Sequence, residues 1–191
     1  MSSVTFAAPR EIPQWHMTIR NIHTQKKLER LKVIEQDPEK PSRQWVRPSA
    51  RRQLSTLFRD WRSKRSKHMP ERLIWYLYLV GQHFDKPIDL VSVYRHDDQP
   101  SSRHKQGRAV DFKIKGIDPK VIWEYCKRFR NVGLGYYPNS GFIHLDVRQR
   151  SYYWIDESGP GQDARYRKGV PQEWREKKAK RKRAARKKRV E

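Results

Sequence analysis

Apolar residues along this chain gather into short stretches between about Leu54 and Trp154, and their spacing changes from helical to strand-like part-way through. Leu54, Leu57, Phe58 and Trp61 fall at i, i+3, i+4 and i+7, one stripe of a helix over 49–61 with Ser49 as its cap. A second helix is expected from Pro70 to about Phe84. Its run Leu73-Ile-Trp-Tyr-Leu-Tyr-Leu-Val80 covers most of the circumference, so that helix should be buried. Beyond Pro87 the period becomes two, and 88–94 and 107–114 read as strands separated by a polar loop. A helix over 118–129 follows, then strands over 132–137 and 142–147 turned by Pro138-Asn-Ser-Gly141, with Tyr152-Tyr-Trp154 closing the sheet. Upstream, Met17–Thr24 alternates as a strand does and 27–34 pairs back on it, while Pro38, Pro41 and Pro48 punctuate a polar linker.

Helices first and strands later, with one helix inserted, predict an α+β fold with a mainly antiparallel sheet and flanking helices. The organisation read from this pattern is an N-terminal arm with a hairpin and linker (1–48), one domain (49–155) and a basic, disordered tail (156–191).

Composition narrows the picture in three ways. The longest apolar run is eight residues, against the roughly 20 needed to cross a bilayer as a helix, so no transmembrane segment is expected. The opening MSSVTFAAPR lacks the basic and apolar regions of a secretory signal. By this reading the chain either stays inside the cell or begins after a removed signal. The single cysteine, Cys126, allows no internal disulfide and reads as a buried, inert thiol.

Charge is the third. The net charge is +23, and residues 175–191 carry eleven Lys/Arg against two Glu, which leaves +14 for the rest. Such a surface attracts polyanions through a salt-sensitive field, whether nucleic acid or an anionic envelope polymer. A purely binding protein is therefore the alternative to an enzyme.

The candidate chemistry lies on the strands. In 101–112 and 141–147, alternation turns Val110, Phe112, Ile143, Leu145 and Val147 to one face and Asp111, His144 and Asp146 to the other, with His104 in the loop just before. Two imidazoles and a carboxylate in this pattern match three ligands for Zn2+ with a fourth position open, as catalysis requires. Isolated His and Asp on strands are more often surface or hydrogen-bonded core groups, however, and periodicity alone does not choose. His96, Asp97 and Asp98, after Arg95, read as solvated loop. His16, His23, His68 and His83 have no consistent partners. Tyr136, Tyr137 and Ser140 border the same region, where packing is the commoner role for tyrosine.

Ser102-x-His-x-x-Gly-x-Ala-x-Asp-Phe112, followed by Gly133-x-Gly-Tyr-Tyr-Pro-x-Ser-x-Phe-Ile-His-x-Asp146, resembles the zinc D-Ala-D-Ala metallopeptidase family, with its hedgehog/D-Ala-D-Ala peptidase-like fold, in the branch of murein endopeptidase K. The resemblance covers about 53–154. It implies His104, Asp111 and His144 as metal ligands, zinc as cofactor, peptidoglycan crosslinks or stems as substrate, and a periplasmic or envelope location. Val91-Ser-Val-Tyr-Arg95 is similar to the family's Ser-Gly-Tyr-Arg strand, which gives Arg95 a role in holding substrate and neutralising a developing oxyanion. Several relatives carry an acid three residues before the last histidine, where this chain has Gly141. Asp146 is therefore read either as general base or as the partner that orients His144.

Overall fold

The computed structural model describes residues 16–167. They form nine strands and three helices in the order β1 (His16–Asn21), β2 (Lys27–Lys32), β3 (Ile34–Gln36), β4 (Gln44–Val46), α1 (Pro48–Leu57), α2 (Glu71–Phe84), β5 (Ile88–Ser92), β6 (Ala109–Ile114), α3 (Pro119–Cys126), β7 (Val132–Tyr137), β8 (Phe142–Val147) and β9 (Tyr152–Ile155). Seven strands make one sheet, ordered β2-β1-β5-β6-β8-β7-β9, and β3 and β4 pair separately.

The architecture is α+β with a mostly antiparallel sheet, but the sheet is mixed. Two pairings are parallel: β1 with β5 and β7 with β9. Connection length explains the first, because the chain between β1 and β5 passes through two helices and so has room to cross over and re-enter in the same direction. In the second, β8 turns back beside β7 and the chain returns along β7's outer edge. The sheet thus draws on residues before 49 as well as on 49–155.

α2 behaves as its sequence requires. Leu73, Ile74, Leu77 and Val80 have no exposed surface, and they share one core with Val110, Phe112, Ile143 and Leu145 from the sheet and Ile122 from α3. Asp118 caps α3 by accepting the Lys120 N–H. Cys126 is fully buried in this core, and burial pushes its thiol far above the usual range.

Three local expectations are revised. Pro48, not Ser49, opens α1, so Ser49 lies inside the helix and no side chain caps it. The helix ends at Leu57 rather than Trp61, because Asp60 starts a tight turn: it accepts the Arg62 N–H at 2.9 Å and the Ser63 hydroxyl at 2.9 Å, while its own N–H reaches Arg65 O. Part of the expected linker is the β3–β4 hairpin, whose three-residue strands are too short for an alternation signal and whose prolines lie in the turn.

Residues 156–167, expected to belong to the tail, fold back instead. Asp156 bridges to Tyr166, its carboxylate accepts the Ser158 and Arg165 N–H groups at 3.0 Å, and the Arg167 N–H bonds Ile155 O. The expectations for 1–15 and for 168–191 lie outside the described residues.

Candidate metal centre

Strand pairing sets the first two residues of the site. Asp111 on β6 stands directly opposite His144 on β8, and Ala109 opposite Asp146. Both Asp111 and His144 point off the face opposite the hydrophobic core, yet they are buried, because the loops around 95–107 and 156–164 cover that face. His104 comes from the first loop. Its Nδ1 meets Val93 O at 2.7 Å, and Gly107 lets the chain turn back into β6 with φ of 70°, where a Cβ would lie 2.9 Å from His68 O.

Three atoms then converge. His144 Nδ1 lies 2.8 Å from Asp111 Oδ1, His104 Nε2 lies 3.2 Å from His144 Nδ1, and His104 Nε2 lies 3.4 Å from Asp111 Oδ1. Ligands at about 2 Å from a tetrahedral ion are separated by roughly 3.3 Å, so the spacing suits a single metal. The protonation pattern points the same way. His104 donates through Nδ1 to a carbonyl, and His144 Nε2 is 3.0 Å from Asp146 Oδ2, so each ring commits its N–H on the far side. With both rings neutral, the facing nitrogens and Asp111 Oδ1 aim lone pairs at one point, an arrangement suited to a cation between them.

The same field governs the titration of these groups. Burial alone would raise Asp111, but the charges and N–H groups of His104 and His144 hold its carboxyl far below the usual range. Burial would lower His144, and Asp111 and Asp146 more than reverse it. Asp146 has no exposed surface. Burial raises it, and Arg148 and then His144 bring it down to about 2.

Asp146 faces the edge of the His144 ring that points away from the convergence. Arg148 Nε donates to its Oδ1 at 2.7 Å and Arg148 Nη2 to its Oδ2, the oxygen that also meets His144. This is the carboxylate–histidine arrangement that fixes a ligand's tautomer. Arg95 approaches from the other side: its Nη2 donates to Asp111 Oδ2 at 3.3 Å, and its Nη1 lies 3.6 Å from Asp98 Oδ2. Its Nε is buried with no partner among the described residues. Asp98 and His96, expected to be solvated, are tied down: Asp98 accepts the Ser102 hydroxyl at 2.6 Å, and His96 meets Arg65 at 2.8 Å and Tyr94 at 3.1 Å.

Sequence reasoning missed several contributors. Gly133 and Gly135 stand across from Asp146 and His144 in the β7–β8 ladder. A Cβ on Gly133 would collide with Arg148 and Asp146, and one on Gly135 would lie 2.5 Å from the Trp154 ring. Trp154 lies in that space, 5.0 Å from the His144 ring between centroids. The glycine pair on the site face of a strand was the available signal. The wall formed by 158–162 carried none, being polar and rich in Gly and Pro.

Two adjoining hollows, of about 530 and about 550 Å3, share Val91, Arg95, Asp111, Phe142 and Gly161. Together they make one groove across the site. One end reaches Trp61 and His23, which stack at 5.5 Å, and the other reaches Tyr137, Trp154 and Ser158. Among the described residues, His104, Asp111 and His144 are the only cluster of this kind able to hold a metal ion.

With this geometry in place, comparison with known proteins is informative. Residues 13–152 match the model of the family described as peptidoglycan L,D-endopeptidase MepK. The chain belongs to this family. Peptidoglycan L,D-endopeptidase MepK of Escherichia coli K12 is 34% identical over 110 residues, covering 49% of this chain and 59% of that protein, and the Shigella flexneri protein of the same name matches equally. The probable peptidoglycan L,D-endopeptidase MepK of Haemophilus influenzae is 27% identical over 146 residues, covering 69% of this chain and 74% of that protein. The chain thus spans 59% of the length of the first of these relatives. No solved structure matches it.

Asp60 also bears on the site, since it accepts the His96 N–H at 2.9 Å and so fixes the residue after Arg95. Burial opposes ionisation of Asp60, but the N–H groups of His96 and Arg62 and the Ser63 hydroxyl outweigh it and hold its pKa below the ordinary value. Its contribution is therefore present above an unfolded value of about 3.9 and is lost as pH falls through the lower folded value. Urea unfolding should show Asp60→Asn less stable than wild type by about 1–3 kcal/mol at pH 7, with the gap narrowing below pH about 4. A gap that does not change with pH would contradict this assignment.

Proposed function

We propose that this chain is a zinc-dependent peptidase that hydrolyses peptide crosslinks of bacterial peptidoglycan, at the L,D bond for which its relatives are named. The observation that carries the reading is the convergence of His104 Nε2, Asp111 Oδ1 and His144 Nδ1, each ring with its other nitrogen already engaged. These three residues hold the ion. Bound zinc supplies a Lewis acid that acidifies water and polarises a carbonyl.

The protein's own groups do the rest. Asp146 orients His144 and keeps its Nε2 protonated, the role favoured over general base because His144 and Arg148 engage its oxygens and it has no exposed surface. Arg95 presents a guanidinium beside Asp111, placed to neutralise negative charge as it grows on the scissile carbonyl. The groove runs past the triad on both sides rather than ending at it, which suits a bond inside a longer chain.

Action on peptidoglycan places the protein in the periplasm or envelope. Among the described residues no helix is long and apolar enough to cross a membrane. The Lys/Arg run of 175–191 is a tether to an anionic envelope polymer or nucleic acid, weakened by salt. The catalytic unit is the sheet with its covering loops, and the basic C-terminal tail is an accessory to it.

Purified sacculi digested with zinc-loaded protein, and resolved by muropeptide mass, should lose L,D-crosslinked dimers. Chelator-treated protein and His144→Ala should leave them intact. Unchanged dimers with zinc shown to be bound would contradict the peptidase. For Asp146→Asn, competition with a chromogenic chelator should find zinc affinity reduced about 10–100-fold; unaltered affinity would remove the orienting role.

A further inference from the structure

Tyr137 ends β7 and lines the groove together with His144 and Trp154. Its ring stacks on Phe142 at 4.6 Å and 22°, which fixes its plane. Trp154 Nε1 donates to the Tyr137 hydroxyl at 3.1 Å. Indole N–H is a donor only, so this bond uses a lone pair of the phenol oxygen and leaves the phenol hydrogen free. Among the described residues no acceptor takes that hydrogen. A polar hydrogen without a protein partner, half-buried at the wall of a cleft beside a metal site, is placed for a ligand.

We infer that Tyr137 donates a hydrogen bond to the scissile carbonyl oxygen as negative charge develops on it, and that Trp154 is the residue that positions Tyr137. This rests on the hydrolase reading above. No proton changes hands: the phenol keeps its hydrogen, and burial, which pushes the Tyr137 hydroxyl well above its ordinary range, keeps it neutral. Receiving the indole N–H polarises the phenol and makes it a better donor. Tyr137 then complements Arg95: one neutral donor and one cation, both lining the groove that holds the ligand triad.

The position of Trp154 is built into the sheet. Gly135 is opposite His144 in the ladder, and its missing side chain is the space in which the indole lies. His144, Gly135, Trp154 and Tyr137 therefore form one packed series, and the donor is referenced to a metal ligand through rigid strands.

The test uses the zinc-loaded full chain with Tyr137→Phe, Trp154→Phe and the double variant. Readouts are zinc content, kcat and KM on a purified crosslinked muropeptide dimer, and calorimetric affinity for a phosphinate that replaces the scissile amide of the same peptide. Tyr137→Phe keeps the ring stack and should retain one zinc and a KM within about twofold. It should lose about a hundredfold in kcat and a similar factor in phosphinate affinity. Trp154→Phe should lose less, and the double variant should be no worse than Tyr137→Phe alone, as expected for one chain of contacts. Wild-type kcat and phosphinate affinity in Tyr137→Phe would overturn the inference while leaving the hydrolase intact, as would a loss accounted for by missing zinc or raised KM. A wild type that binds zinc and cleaves no muropeptide would overturn the hydrolase and this inference with it.

Discussion

Two imidazole nitrogens and a carboxylate oxygen facing one another at 2.8–3.4 Å repel unless something positive sits among them. Most of what is unusual about this sheet follows from that constraint. His104 is turned inward by Val93 O and His144 by Asp146, Asp146 is held in turn by Arg148, and Arg95 takes the outer oxygen of Asp111. Each of these contacts uses up an alternative partner. With both rings neutral, what is left at the centre is three electron pairs, which a divalent cation satisfies well.

The sheet makes this arrangement cheap to hold. Cross-strand pairing puts Asp111 and His144 side by side without any loop having to be ordered. The opposite face of the same two strands carries Val110, Phe112, Ile143 and Leu145 into a core with no exposed surface, so the register of the site is the register of the core. A slip of one residue would bury Asp111 and His144 among aliphatic side chains and expose the core. The glycines on β7 open room on the site face, and Trp154 and Arg148 fill it.

The residues legible from sequence are those whose neighbours obey a period. The alternation in 107–114 and 142–147 located both strands and separated Asp111, His144 and Asp146 from the core side chains, and the continuous apolar run located α2. His104 was legible through its motif, since a loop residue has no period. What escaped was set by partners distant in sequence: the parallel docking of β1 on β5, the three-residue strands β3 and β4, and the return of 156–167 over the site. Asp146 was open between two roles because alternation fixes the face on which a side chain lies, not which edge of an imidazole it meets. Trp154 was seen only as the end of a strand, although Gly135 opposite His144 marks the gap it occupies.

The central claim is the identity of the three ligating atoms. Crystals of the zinc-loaded protein, measured on either side of the zinc absorption edge, should give one anomalous peak bounded by His104 Nε2, Asp111 Oδ1 and His144 Nδ1, with His144 Nε2 still on Asp146. A triad without a peak, or zinc bound through His144 Nε2 with Asp146 displaced, would contradict the account.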